Sequence, residues 1–281
     1  MKAKNRKKML AILCLATIAT SAFPVRAAEN EYALNWNKPH PGVSLAAPEE
    51  GFAFSNDSYV YGDTMYYSVY KTEGDFEGST VQPTVTLDIY QANLDGSNPQ
   101  KLSTQTVYGL DGRIELVTEN YILISYGYAY FEDGLLLDKR TGQAKKVESI
   151  FPIGYSQKDY NKKNIVTKHI DEYYLMSVAH SDVSPQKILV FNGKNANKAT
   201  VAKKGWDARF VDKKIYYIFD KKGSFYLGSC TYKGKKNKTI TKLKAPENCA
   251  YLGFDSINRK GFTYRAMTES GLKKYTYSFE K

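Results

Sequence analysis

Five aspartates, Asp63, Asp171, Asp207, Asp212 and Asp255, stand near the ends of short apolar and aromatic segments. Two carboxylates held about 5 to 10 Å apart are what glycoside hydrolysis requires, one as acid and one as base or nucleophile. Glycan cleavage is therefore the catalytic chemistry these residue types allow. Against it, aspartate at a turn is ordinarily a turn former whose carboxylate bonds its own backbone, and no aspartate opens a first inner strand. Other chemistries find less. There is no Gly-x-Ser-x-Gly, and His40, His169 and His180 fall in no nucleophile or metal-ligand pattern. Asp95-Gly96-Ser97-Asn98 is too short and too poor in acids for a calcium loop. No glycine-rich loop could cradle a phosphate. The expectation is a protein without catalytic residues, metal or cofactor, with a glycan-cleaving enzyme as the alternative.

The lysines are more suggestive. Lys233, Lys235, Lys236 and Lys238, followed by Lys242 and Lys244, crowd one turn and the strand after it. Side chains on a turn project into solvent, where their fields add. From Glu29 to Ile150 there are 8 Lys and Arg against 18 Asp and Glu, and from Phe151 onward 26 against 11. Such a split serves either as ordinary solvated charge, the two halves attracting one another, or as a basic face for a polyanion. Because the cluster is lysine rather than arginine and carries no arginine–aromatic pattern for reading bases, a cell-envelope glycan, another polyanion or a protein is expected, and nucleic acid is not. Cys230 and Cys249, nineteen residues apart, could close a disulfide in an oxidising compartment or be two separate small core residues.

That compartment is read from the start of the chain. Lys2, Lys4, Arg6, Lys7 and Lys8 precede an apolar run from Met9 to about Phe23 and a Val25-Arg26-Ala27 cleavage pattern. This is the layout of a secretory signal peptide, and the run is shorter than the roughly 20 residues a membrane helix needs. Residues 1–27 are thus expected to be a signal peptide, 28–50 an N-terminal segment and 51–281 one domain. The mature protein is expected to be secreted, monomeric and without a transmembrane segment.

The elements that must position the charged residues repeat. A short aromatic strand, a polar gap, a second strand, a turn and a basic return strand recur five times. The clearest second strands and turns are Leu87-Asp88-Ile89-Tyr90 to Asp95-Gly96, Leu135-Leu136-Leu137 to Thr141-Gly142, Ile188-Leu189-Val190-Phe191 to Asn192-Gly193, and Phe225-Tyr226-Leu227 to Lys233-Gly234. Apolar positions alternate or fall in short runs rich in Tyr, Val, Ile, Thr and Phe, which is strand patterning. The repeats begin near Gly51, Thr106, Phe151, Lys204 and Ala245, each offering four strands except the last, which offers three. Tyr32-Ala33-Leu34-Asn35-Trp36 could supply the missing strand and so remove an exposed edge. The expected fold is all-β: a β-propeller of five blades, or six, of four antiparallel strands, its ring closed by that N-terminal strand.

Ile89-Tyr90-Gln91-Ala92-Asn93-Leu94-Asp95-Gly96-Ser97-Asn98, followed by Lys101-Leu102, resembles the blade hairpin of TolB-like and low-density-lipoprotein-receptor-type propeller modules of secreted bacterial proteins. Leu137-Asp138-Lys139-Arg140-Thr141-Gly142 is similar to another common blade hairpin. The resemblance implies a binding or scaffolding module rather than an enzyme.

Overall fold

Alternation along each segment is resolved by burying both faces of successive sheets. The computed structural model describes residues 51–74, 83–127, 133–153, 166–167, 169–178 and 185–280, and among them there is no helix. Residues 1–27, expected to be a signal peptide, the strand expected at Tyr32–Trp36, His40 and His180 lie outside the described residues.

Four strands, β1 (Ala53–Tyr61), β2 (Thr64–Glu73), β3 (Thr84–Asn93) and β4 (Gln100–Tyr108), form an antiparallel meander. A second meander follows from β5 (Asp111–Val117), β6 (Tyr121–Gly127), β7 (Asp133–Asp138) and β8 (Ala144–Glu148). The third begins with two short strands, β9 (Ile150–Pro152) and β11 (His169–Ile170), and continues in β12 (Tyr173–Val178) and β13 (Gln186–Asn192). Between β9 and β11 in sequence, β10 (Val166–Thr167) pairs instead with Phe210 and Val211, in the second half of a strand that follows. That strand, β14 (Lys198–Val211), is the last of the third meander and also the first of the fourth, completed by β15 (Lys214–Lys221), β16 (Ser224–Thr231) and β17 (Lys238–Lys242). Among the described residues the last meander has three strands, β18 (Tyr251–Ile257), β19 (Gly261–Thr268) and β20 (Gly271–Ser278).

Two strands expected as separate, Ala199 to Ala202 and Ala208 to Val211, are thus one. β14 pairs with β13 as far as Gly205 and with β15 from Gly205 onward. At the changeover a Cβ on Gly205 would overlap the Ile188 side chain, which would have to move to admit it. The first strand also runs on to Tyr61, well past the expected Phe52 to Phe54, since a polar stretch hides its continuation.

Each meander packs on the next. Ile122, Ile124, Tyr126, Leu135 and Leu137 face the first sheet, where Val85, Leu87 and Ile89 meet them. Their alternates Leu123 and Leu136 face the third, against Met176, Leu189 and Phe191. Ile188 and Val190 turn toward Phe210 and Ile215 of the fourth, and Leu227 and Phe225 toward Leu252, Phe254 and Phe262 of the fifth. Each such side chain contributes about 1.5 to 3 kcal/mol when fully buried. The end sheets differ. The first has a second apolar cluster on its far side, Met65, Tyr67, Val69 and Ala92 with Phe52, Phe54 and Tyr90. The far side of the fifth is polar, with Asp255 held by Arg265 and Lys274.

The first strand of each meander is interrupted. The register slips between Ile114 and Leu116, between Gly205 and Asp207, between Phe254 and Ser256, and between Phe54 and Ser58. In the third meander the strand is divided outright: β9 and β11 both pair with β12, and residues 153–168 separate them.

A candidate ligand-binding face

In an antiparallel meander the first and third connections lie at the same end. Hydrogen bonds tie these ends together from sheet to sheet. The Lys139 N–H donates to the Asn120 carbonyl, the Asn120 N–H to Gly193, and the Gly193 N–H to Glu172, at 2.9, 3.2 and 2.7 Å. Glu172 is a node: its carboxylate accepts from the Tyr61 hydroxyl at 2.7 Å and from the Glu119 N–H at 3.0 Å. Burial and the Glu172 charge both raise the Tyr61 pKa, so its hydroxyl stays a donor. Farther along, the Tyr232 N–H donates to the Lys213 carbonyl at 3.2 Å, and Arg259 grips Asp212 with two bonds of 2.8 and 2.9 Å.

Lysines join the same ends through aromatic rings. Lys139, in the turn after β7, lies 4.7 Å from the ring centres of both Tyr61 and Tyr66 and donates to the Tyr66 hydroxyl. Burial pulls its pKa down, opposed by Glu172 and Glu119. Two sheets on, Lys233 repeats the arrangement, 5.6 Å from the Tyr173 ring and 5.4 Å from Tyr232, two rings that pack edge to face. An ammonium over a ring face is attracted by the ring quadrupole. Lys233, expected as a ligand-binding residue, is exposed and at the same time links the third sheet to the fourth through these rings.

Lys235, Lys236 and Lys238 are not so engaged. The turn is closed by the Thr231 N–H donating to the Lys235 carbonyl at 2.9 Å, with Gly234 and Lys236 at φ 72° and 61°. Gly234 sits where a Cβ would press on Ala199 at 2.9 Å. Asn237 donates to the Val201 carbonyl at 3.0 Å, pinning the turn to β14. With its backbone so held, the turn presents Lys235, Lys236 and Lys238 exposed, and among the described residues none forms an ion pair.

The five aspartates divide into two groups. Asp63, Asp171 and Asp212 lie in the connections just described; the His169 Nδ1 donates to the Asp171 carbonyl. Asp207 and Asp255 are buried in first strands, at or beside the register slips. Asp207 pairs with Arg209 and accepts from the N–H groups of Ala208 and Phe254, both at 2.8 Å, bridging the fourth and fifth sheets. Burial raises its pKa against those partners. Glu115 occupies the equivalent slip in β5 and pairs with Arg113 at 2.6 Å. Asp207, Asp212, Asp255 and Glu115 are thus each held by a cation. Asp111, by contrast, opens the first strand β5, where no aspartate was expected. Its Oδ1 is buried without a hydrogen-bond partner among the described residues, and burial raises its pKa against Arg113. Glu115, Arg113 and Arg209 were missed in the sequence; the signal was a carboxylate and an arginine two apart in a first strand.

The disulfide allowed by Cys230 and Cys249 is not formed. Cys230 lies in the core between the third and fourth sheets, and Cys249 packs between the fourth and fifth, its thiol donating to the Tyr251 carbonyl at 3.2 Å. The two belong to different cores, and burial pushes the Cys230 thiol up to about 12.

No family model matches the chain, and no curated protein matches it. Among solved structures it is similar to TolB from Acinetobacter baumannii, with 11% identity over 76% of this chain and a TM-score of 0.30. The match covers 52% of that protein, so this chain spans about half its length. It is similar to a chain of a nidogen/laminin complex at 10% identity, covering 76% of this chain and 72% of that one, TM-score 0.31. It is also similar to the β-propeller domain of the trilobed protease from Pyrococcus furiosus at 12% identity, covering 83% and 95%, TM-score 0.26.

Proposed function

We propose that the chain is a secreted, non-enzymatic β-propeller whose rigid sheets display a lysine-rich turn that binds an anionic ligand. The observation that carries this reading is the turn between β16 and β17. Its backbone is fixed by the Asn237 bond to β14 and the Thr231–Lys235 bond, while Lys235, Lys236 and Lys238 stand exposed without ion pairs among the described residues. Rigid display matters, because a ligand then orders few side chains beyond the lysine tips. The adjoining connection adds Lys213 and Lys214. A non-catalytic reading is supported by Asp207, Asp212, Asp255 and Glu115, whose carboxylates are each already engaged by a cation of the protein. The strand Tyr32–Trp36 belongs to the same proposal, as the fourth strand beside β20 that would close the ring.

The test is retention of the chain from Glu29 on an anionic matrix over a salt series. Wild type should be retained at low salt and released as the Debye length contracts below about 10 Å near 0.1 M. Charge reversal at Lys235, Lys236 and Lys238 should shift elution to markedly lower salt. Unchanged elution of that variant would overturn the assignment.

A further inference from the structure

The lysine-rich turn is one end of a longer basic surface. β14 in its first half and β17 are the last strands of successive meanders, each following a third connection, and the turn before β17 is joined to β14 by the Asn237–Val201 bond. β14 carries Lys198, Lys203 and Lys204; β17 carries Lys238 and Lys242. The register slips between Ile188 paired with Ala202 and Gln186 paired with Gly205, so Lys203 and Lys204 fall in the irregularity and both side chains are exposed. On the other side of β14 the basic surface continues into the second meander. Lys187 reaches Glu148 of β8 at 3.0 Å, and the Lys198 pKa is pulled down by partial burial first, with Glu148 opposing and Lys187 and Lys145 adding to it. Lys145 and Lys146 are exposed on β8.

Lysine on an outer strand has an ordinary use, which is to stop unpaired edges from recruiting other strands. The first meander shows how little that needs: β4 carries Lys101, and it is neutralised by Asp88 at 2.6 Å. On β8, β14 and β17 the lysines are more numerous. Among the described residues Lys145, Lys146, Lys198, Lys203, Lys204, Lys238 and Lys242 form no ion pair, and Glu148 is the one carboxylate in contact with the belt through Lys187. Such a surplus of like charge raises the free energy of the unliganded protein and is relieved by a counter-charge of matching length.

Resting on the reading of the turn as an anion site, we infer that the outer strands β8, β14 and β17 form a continuous lysine belt for a linear anionic polysaccharide lying across them. Packed sheets are separated by about 10 Å, so a ligand touching all three strands spans roughly 20 Å, which a small anion or single sugar acid cannot do. A single-stranded nucleic acid of that length would bring bases in need of stacking platforms. The tyrosines nearest the turn, Tyr173 and Tyr232, are packed on each other and on Lys233. Lysine ammonium groups bind carboxylate, sulfate and phosphate substituents as point charges, without the planar matching arginine brings.

The experiment measures affinity of the chain from Glu29 for heparin oligosaccharides of increasing length, from the disaccharide upward, beside a single-stranded oligonucleotide of equal charge. Affinity should rise at least tenfold from the disaccharide to chains spanning the belt and then level. The pairs K145E/K146E and K203E/K204E should each weaken the long oligosaccharide fivefold or more while changing the disaccharide by less than twofold. Lys→Gln versions, with strand content checked by circular dichroism, should fall between wild type and reversal. If K235E/K236E/K238E abolishes binding while the other two pairs leave long chains unaffected, the belt is wrong and the turn site stands. If no variant alters binding, both fail. Tighter binding of the oligonucleotide than of the longest oligosaccharide would overturn the glycan assignment.

Discussion

Replacing Asp207 by alanine should remove one of the bonds that fasten the fourth sheet to the fifth. The carboxylate accepts two peptide hydrogen bonds at 2.8 Å, from Ala208 in its own strand and Phe254 in β18, and pairs with Arg209. Asp207 is 6% exposed and Arg209 4%, so little solvent replaces what is lost. Leaving one buried N–H without an acceptor costs about 1 to 3 kcal/mol, and breaking a buried ion pair by removing one member costs about 3 to 5 kcal/mol. These overlap, so the expected loss is about 3 to 5 kcal/mol, lowering the midpoint of thermal unfolding by about 10 °C for a chain of this size. Asp207→Asn keeps an acceptor for Phe254 and should lose less. Urea unfolding by linear extrapolation gives the values, and Asp207→Leu combined with Arg209→Met tests the cause. An apolar pair of similar volume should recover much of the loss, because the ions no longer have to be desolvated. A loss below about 1 kcal/mol in Asp207→Ala, against the 3 to 5 expected of a buried pair, would refute the reasoning, as would a double variant whose loss is the sum of the singles.

Two further outcomes follow from Lys139 and the buried thiol. Lys139→Met should be nearly neutral in urea unfolding, since the attraction of the ammonium to the Tyr61 and Tyr66 rings is offset by its burial, whereas Lys139→Glu should be clearly destabilising beside Glu172 and Glu119. Cys230 has its folded pKa raised from 9.0 to about 12. The thiol is neutral in both states below pH 9, and above it only the unfolded thiol ionises, so its contribution to stability is intact below pH 9 and lost toward pH 12. The slope should be about 1.4 kcal/mol per pH unit, and Cys230→Ala should flatten it; an unchanged slope in that variant would contradict the burial argument.

Much of the architecture was legible because strand patterning is local. Ile122, Leu123 and Ile124 announce a strand buried on both faces, and Asp95-Gly96 and Thr141-Gly142 announce the turns after β3 and β7. The three-stranded last meander was legible for the same reason. What was hidden depends on register between strands distant in sequence. The extra residue opposite β6 makes Glu115 turn inward beside Arg113, and the slip at Trp206 carries Asp207 to Phe254 forty-seven residues away. Alternation cannot reveal a residue that breaks it. The lysine turn was visible as composition, but which lysines are free was not: Lys233 resembles its neighbours in sequence and differs only in having Tyr173 beneath it.

The long strand β14 has a mechanical consequence. Elsewhere successive meanders are joined by a connection, by side-chain packing and by isolated bonds such as Asn120–Gly193, Asp207–Phe254 and Arg259–Asp212, all of which can yield while each sheet stays intact. The third and fourth meanders instead share an unbroken backbone from Lys198 to Val211, hydrogen-bonded to β13 on one part and β15 on the next. To separate them, ladder bonds on at least one side of Gly205 have to open. The two sheets therefore form one cooperative opening unit, whose amides should exchange with solvent together and late, and pulling on the chain would find its greatest resistance there.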